Sequence, residues 1–231
     1  MTERYAIYYL PDPESEIGRF GSALLGRCLR GGQTLARPVW PGVSQAELLR
    51  HTGQAALYGF HGTIVAPFET DSPESDLLAL AASLAESSRA VKLGRLKLRG
   101  GSFAALWPET TPESLSLLER RWVTAFSRFR RPLTESDLSR RGPLEPRLKA
   151  NLLQWGYHLV FDDFKFHLTV ADSLPAEPEG FLAALASGLA PALAQPLTVD
   201  RLALCRQPSR TEPFVCLKTF WLPDSDNETG C

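Results

Sequence analysis

Apolar positions along this chain fall into strand-like and helix-like segments whose order occurs twice. Residues 5–10 are apolar and aromatic and are closed by Pro11 and Pro13, which predicts a first strand. Residues 14–29 place Ile17, Phe20, Leu24 and Leu25 at helical spacing, with Ser15 or Asp12 as the start signal. Residues 44–51 predict a short helix with Ser44 as N-cap and Glu47 completing a capping box. A strand over 59–68 follows, then a helix over 77–87 capped by Ser72 with Pro73 at its first position. Strands over 91–99 and 102–107 flank the Gly100-Gly101 turn. Past residue 167 the order returns: a loop over 172–177, Pro178, and a helix over 181–193. Strands over 197–205 and 214–221 then flank a turn at 208–211. Between the two runs lie a helix over 112–129, with Leu115, Leu118, Trp122 and Phe126 on one face, and a helical stretch over 134–151. Gly142-Pro143 breaks that stretch, and Trp155-Gly156-Tyr157 turns toward the second run. The tail, 223–231, is polar and is expected to fray.

A unit of strand, helix, strand, strand used twice is an internal repeat. It predicts an α+β fold: one bilobal domain with two antiparallel sheets flanking a central cleft and helices outside. The expected lobes are about 1–110 and about 156–223, joined by a helical connector over about 111–155. The formal net charge of −1 gives no global pull toward nucleic acid or an anionic membrane. No apolar run is long enough to span a bilayer, and the first residues lack the basic start and apolar stretch of a secretory signal. Cytoplasmic location is therefore expected. Cys28, Cys205, Cys216 and Cys231 have no zinc-knuckle spacing and are expected to be thiols. No metal and no cofactor are expected, and the protein is expected to be a monomer.

The candidate chemistry sits in the strand that opens each repeat. His61-Gly62-Thr63 and His167-Leu168-Thr169 are both His-x-Thr, preceded by Phe60 and Phe166 and followed by Ile64 and Val170. Side chains alternate across a strand, so each His shares a face with its Thr while the apolar neighbours point the other way. Two such strands facing one cleft would set two imidazoles and two hydroxyls around one anion, a set suited to acid–base chemistry on a phosphoester. The competing reading is two core histidines satisfied by their neighbours. His51 and His158 have no Thr two residues on and read as structural or surface residues.

The paired motifs resemble the two-histidine (2H) phosphoesterase superfamily, which includes the LigT-like 2′-5′ RNA ligases and cyclic phosphodiesterases. Wider stretches are similar to a bacterial branch often encoded beside phosphonate-utilisation genes. These are Tyr58-Gly59-Phe60-His61-Gly62-Thr63, Ala66-Pro67-Phe68, Trp155-Gly156-Tyr157 and Phe164-Lys165-Phe166-His167-Leu168-Thr169. The chain departs from that branch at His158, where Pro is expected, and at Lys165, where Arg is expected. The resemblance implies that His61 and His167 act on opposite sides of one phosphorus, one as base and one as acid. It implies that Thr63 and Thr169 hold the non-bridging oxygens. Lys165, two residues before His167, is a candidate phosphate-binding cation; Tyr8, Tyr58 and Tyr157 are candidate pocket walls. Arg140, Arg141 and Arg147 are candidates for a lid, against the plainer reading of a solvated helix face. Three functions stay open: a metal-independent phosphodiesterase acting on a small cyclic phosphodiester such as a phosphorylated sugar or nucleotide; RNA processing at 2′,3′-cyclic ends, which the net charge does not favour; and a non-catalytic phosphometabolite-binding module.

Overall fold

The computed structural model describes residues 3–224; the predicted frayed tail beyond residue 224 lies outside them. The chain is α+β and its strands pair antiparallel throughout. β1 (Arg4–Tyr9) leads into α1 (Glu16–Leu25), whose N-cap Ser15 accepts from the Gly18 amide. α2 (Gln45–Tyr58) is capped by Ser44 as expected but runs seven residues past the predicted end at residue 51, up to Gly59. With φ +70°, Gly59 closes the helix and turns the chain into β2 (Gly62–Glu69), so residues 59–61 are a connection and not strand. α3 (Glu74–Glu86) has Pro73 itself as N-cap, with no side-chain capping bond; Ser72 does not cap it.

Each repeat then breaks a strand that its hydrophobic pattern presents as continuous. The first splits into β3 (Val91–Gly94) and β4 (Leu96–Gly100) where Gly94 takes φ +72°, and β5 (Ala104–Pro108) follows. α4 (Glu113–Phe126), the short α5 (Glu135–Ser139) and α6 (Pro146–Trp155) form the connector, with the predicted break between the last two. β6 (Leu168–Ala171) and α7 (Glu179–Leu193) open the second repeat. Its next strand splits at Asp200 into β7 (Leu197–Val199) and β8 (Arg201–Gln207), with β9 (Val215–Trp221) last. The detached pieces β3 and β7 pair with each other as a two-stranded ribbon, Val91 opposite Val199. Equivalent parts of the two repeats thus pair with each other.

The other seven strands lie in the order β4-β5-β6-β2-β1-β8-β9. β6 and β2 join through one registered pair, Gly62 opposite Leu168, so two groups of strands meet only at the His-x-Thr motifs. Each group draws on both repeats: the first repeat's hairpin β4–β5 flanks the second motif strand, and the second repeat's hairpin β8–β9 lies in the group of the first. The break near residue 110 is therefore not a boundary within the sheet. Helices cover one face, where α4 packs on β2 and α3 on β8 and β9. Phe60 and Phe166, flanking the motifs, are buried in that core. A second, smaller cluster of Ala6, Tyr8, Leu10, Leu29, Ala203, Cys205 and Phe214 sits apart from it. Cys205 faces Cys216 in the β8–β9 hairpin, and both are free thiols, as is Cys28.

Candidate active site

The Gly62–Leu168 pair fixes the geometry of the site. In an antiparallel pair the flanking residues are neighbours across the strands. His61 is thereby set beside Thr169, and Thr63 beside His167. The two motifs interlock, each histidine next to the other motif's threonine. Gly62 is required at the crossing, because a Cβ there would come within 2.4 Å of the Phe166 ring.

Both histidines are oriented by one device. His61 Nδ1 lies 2.8 Å from the Gly59 carbonyl oxygen, and His167 Nδ1 lies 2.8 Å from that of Lys165. A carbonyl only accepts, so Nδ1 carries the proton and each Nε2 is bare when the ring is neutral. Thr63 Oγ1 lies 3.1 Å from His61 Nε2, which shows the predicted shared face directly. Each ring is also backed by an aromatic residue of the adjacent strand. Tyr8, opposite Thr63 on β1, has its ring 3.8 Å from that of His61. Trp107 on β5 stacks on His167 at 4.5 Å and 25°, with Phe103 at 5.3 Å. Burial pushes the His61 pKa down to about 4, and the nearby His167 adds to the effect. His167 is lowered as well, by burial.

A cavity of about 530 Å³ opens beside His61 and Thr63 and is walled by Tyr8, Tyr58, Tyr157, Arg140 and Arg141, among others. It is of a size that takes a small organic ligand. His167 and Lys165 line a small adjoining recess that shares Thr63 and Tyr157 with it. Lys165 is exposed and also borders a surface groove with Phe103 and Trp107. Thr169 is half-buried on β6, opposite Ala105. The Tyr8 hydroxyl is fully buried and has no hydrogen-bond partner among the described residues.

Outside this set, Arg147 pairs with Asp163 at 2.6 Å and is absent from the cavity wall. His51 is buried, bonded to Ser173 at 3.0 Å and packed on Phe181. His158 packs on Tyr157, and its half-burial and the neighbouring Arg141 lower its pKa. The sequence reading missed Arg4, Arg130 and Trp107. Trp107 had a usable signal, since it lies on the predicted strand over 102–107, but its partner β6 is about sixty residues further on and not visible in the local pattern.

Residues 63–215 match a protein family described as of unknown function (DUF1045). The chain is 32% identical over 229 residues to a ribose 1,5-bisphosphate phosphokinase PhnN of Janthinobacterium sp. (strain Marseille), covering 92% of this chain and 49% of that protein. It is 31% identical over 227 residues to the protein of the same name from Laribacter hongkongensis (strain HLHK9), covering 95% and 52%. The chain thus spans about half the length of the curated relatives it matches. Among solved structures it is similar to one described as a phosphoesterase, at TM-score 0.46 and 13% identity over 97% of this chain and 100% of that one. It is also similar to E. coli LigT complexed with 3′-AMP, at TM-score 0.43 and 12% identity over 97% and 100%.

Proposed function

We propose that this chain, which belongs to the DUF1045 family, is a metal-independent phosphodiesterase that opens a small cyclic phosphodiester. The observation that carries the reading is the interlocking of the two His-x-Thr motifs at Gly62 and Leu168, with both Nδ1 atoms committed to backbone carbonyls. That leaves two bare Nε2 atoms and two hydroxyls on neighbouring strand positions. Acid–base cleavage of a phosphodiester needs a proton acceptor on the attacking side, a donor on the leaving side, and hydrogen bonds to the oxygens between.

The different surroundings support the following roles. His61, neutral down to about pH 4, takes the proton from the attacking water at Nε2. His167, nearer to solvent, is the ring that holds a proton and delivers it to the departing oxygen. One phosphorus–oxygen bond forms and one breaks, giving a phosphomonoester and a free hydroxyl. Thr63 and Thr169 donate to the non-bridging oxygens, and the partnerless Tyr8 hydroxyl is a further donor on the His61 side. Lys165 is a cation at the mouth on the His167 side. The relatives' name, a ribose 1,5-bisphosphate kinase, supports a phosphorylated pentose as the substrate type.

The test is an assay of cyclic phosphodiesters, including 2′,3′-cyclic nucleotides and RNA with a 2′,3′-cyclic end, across pH with and without EDTA. The profile of kcat/KM should be bell-shaped, because the base must be neutral and the acid charged in the free enzyme. Its acid limb should fall near pH 4 and its basic limb below about 6.5, since burial lowers both rings. Activity should survive EDTA. Activity lost to EDTA and restored by a divalent ion would overturn the mechanism. Preference for RNA ends would move the function to RNA processing, and tight binding without turnover would make the protein a binding module.

A further inference from the structure

We infer that the cavity holds a second anion subsite, built by Arg130 and Arg141, and that the substrate is a cyclic phosphodiester bearing a separate phosphate monoester. The inference rests on the phosphodiesterase reading only for the identity of the first subsite. Six arginines line the cavity: Arg4, Arg130, Arg131, Arg140, Arg141 and Arg210. Three are neutralised, Arg131 by Asp71, Arg140 by Asp137, and Arg210 by Glu69 and Asp137. Arg4 is tied to Gln207. Arg130 and Arg141 have no carboxylate partner among the described residues.

These two guanidiniums are held with their hydrogen-bonding edges unused. Arg130 lies over Phe68 at 5.6 Å, and Arg141 lies over Tyr157 at 5.2 Å. Stacking fixes the plane of a guanidinium but leaves its N–H groups free. Arg130 packs so close to Gly156 that a Cβ there would meet its Nη2 at 1.7 Å; Gly156, at φ +72°, makes room for it. The segment carrying Arg130 is pinned by the Arg131 amide, which donates to the Glu69 carbonyl at 2.9 Å. Burial and the nearby Arg141 push the Arg130 pKa down to about 10, so Arg130 remains charged at neutral pH. Two adjacent cations without a counter-charge repel each other, and a ligand dianion relieves that repulsion. A phosphate monoester carries about −1.5 to −2 at neutral pH and accepts several charge-assisted hydrogen bonds.

Position separates this subsite from the histidines. The cavity wall includes His61, Thr63 and the β2 residues from Ala66 to Glu69. Thr63 and Phe68 are five residues apart, about 16 Å of strand. Arg130, stacked on Phe68, therefore marks the far end of the cavity, while Arg141 over Tyr157 lies between it and the recess of Thr63 and His167, so two phosphates on a sugar or nucleoside match the ends of this wall.

The experiment measures binding of ribose 5-phosphate, with free ribose as control, by calorimetry at fixed ionic strength. The proteins are the wild type, Arg130→Gln, Arg141→Gln and the His61→Ala/His167→Ala double variant. The wild type should bind the phosphate and not ribose. The double His variant should keep its Kd within about threefold. Each Arg variant should weaken binding about tenfold or more, as expected when charge-assisted hydrogen bonds are lost. Three results would overturn the subsite: no binding by the wild type, wild-type affinity in both Arg variants, or loss of binding in the His variant with both arginines intact. Arg141 is exposed, so Arg141→Gln remains informative if Arg130→Gln fails to fold. The phosphodiesterase reading fails separately, by absence of turnover of every cyclic diester while ribose 5-phosphate still binds.

Discussion

The two His-x-Thr motifs are the same device in different surroundings. In both, the ring donates through Nδ1 to the carbonyl two residues upstream, at 2.8 Å. Both rings lie against an aromatic residue of the neighbouring strand, Tyr8 for His61 and Trp107 for His167. The difference is enclosure. His61 lies beside the buried, partnerless hydroxyl of Tyr8, and its pKa falls to about 4; His167 rests on an indole at the edge of a surface groove. A duplicated motif supplies two equivalent imidazoles. Unequal burial separates them, since desolvation penalises the charged ring more where water is excluded, and in the proposed mechanism this makes one the base and the other the acid.

The strongest way to break the comparison is to remove one ring at a time. His61→Ala and His167→Ala should each lower kcat/KM by roughly 10²–10⁴-fold. The double variant should lose less than the product of the two if, as proposed, the rings act as a unit on one phosphorus. Full activity in the double variant would end the mechanism. Thr63→Val and Thr169→Val keep the proton carriers and remove one hydrogen bond each. Their cost should be smaller, about 10–10²-fold and mainly in kcat, the range below a full oxyanion-hole donor. A larger loss from Thr→Val than from His→Ala would invert the assigned roles.

Trp107→Leu uncovers His167 without touching its hydrogen bond. Its pKa should rise toward about 6.5 as burial is relieved, moving the basic limb of the pH profile upward with less than about a tenfold loss in kcat. Trp107→Phe should keep the wild-type profile. An NMR titration of the His167 ring reads the shift directly; an unmoved titration would mean that the indole does not set its pKa.

The smallest effect is on stability. His61 is pushed below its unfolded value, so the unfolded chain binds the extra proton between about pH 6.5 and 4. Its contribution is complete above pH 6.5 and is lost as pH falls to 4, up to about 3 kcal/mol. Glu119, buried and pushed up to about 7, has the opposite slope, losing stability as pH rises from the usual carboxylate range through 7. The difference between wild type and His61→Gln in denaturant midpoint against pH isolates the histidine. A constant difference from pH 7 to pH 4 would show that His61 is not desolvated in the folded state.

Much of the fold was readable because its signals are local. Ser15 and Ser44 cap the helices they announce, Gly142-Pro143 breaks the connector, and Gly156 ends α6 in the left-handed conformation. The errors also have local causes. α2 outran its prediction because Thr52 and Ala55 continue its buried face, while Gly53 and Gln54 beside them and the apolar Ala56 and Leu57 off that face mask the helical spacing. The strands over 91–99 and 197–205 look continuous because alternation alone does not show which partner each half will choose; Gly94 and Asp200 are where the partner changes.

By itself the sequence determined that each histidine shares a face with its threonine, because alternation along a strand is a property of the backbone. It also determined that the unit holding them occurs twice, because turn and cap residues act over three or four positions. Only the tertiary structure decided that the hairpins cross between repeats and that the motifs touch at Gly62 and Leu168. It alone lowered the pKa of both rings by burial, that of His61 to about 4, and left Arg130 and Arg141 without counter-charges among the described residues in one cavity. Strand pairing, desolvation and the balance of charge depend on residues far apart in the chain, and their energies exist only once those residues are packed together.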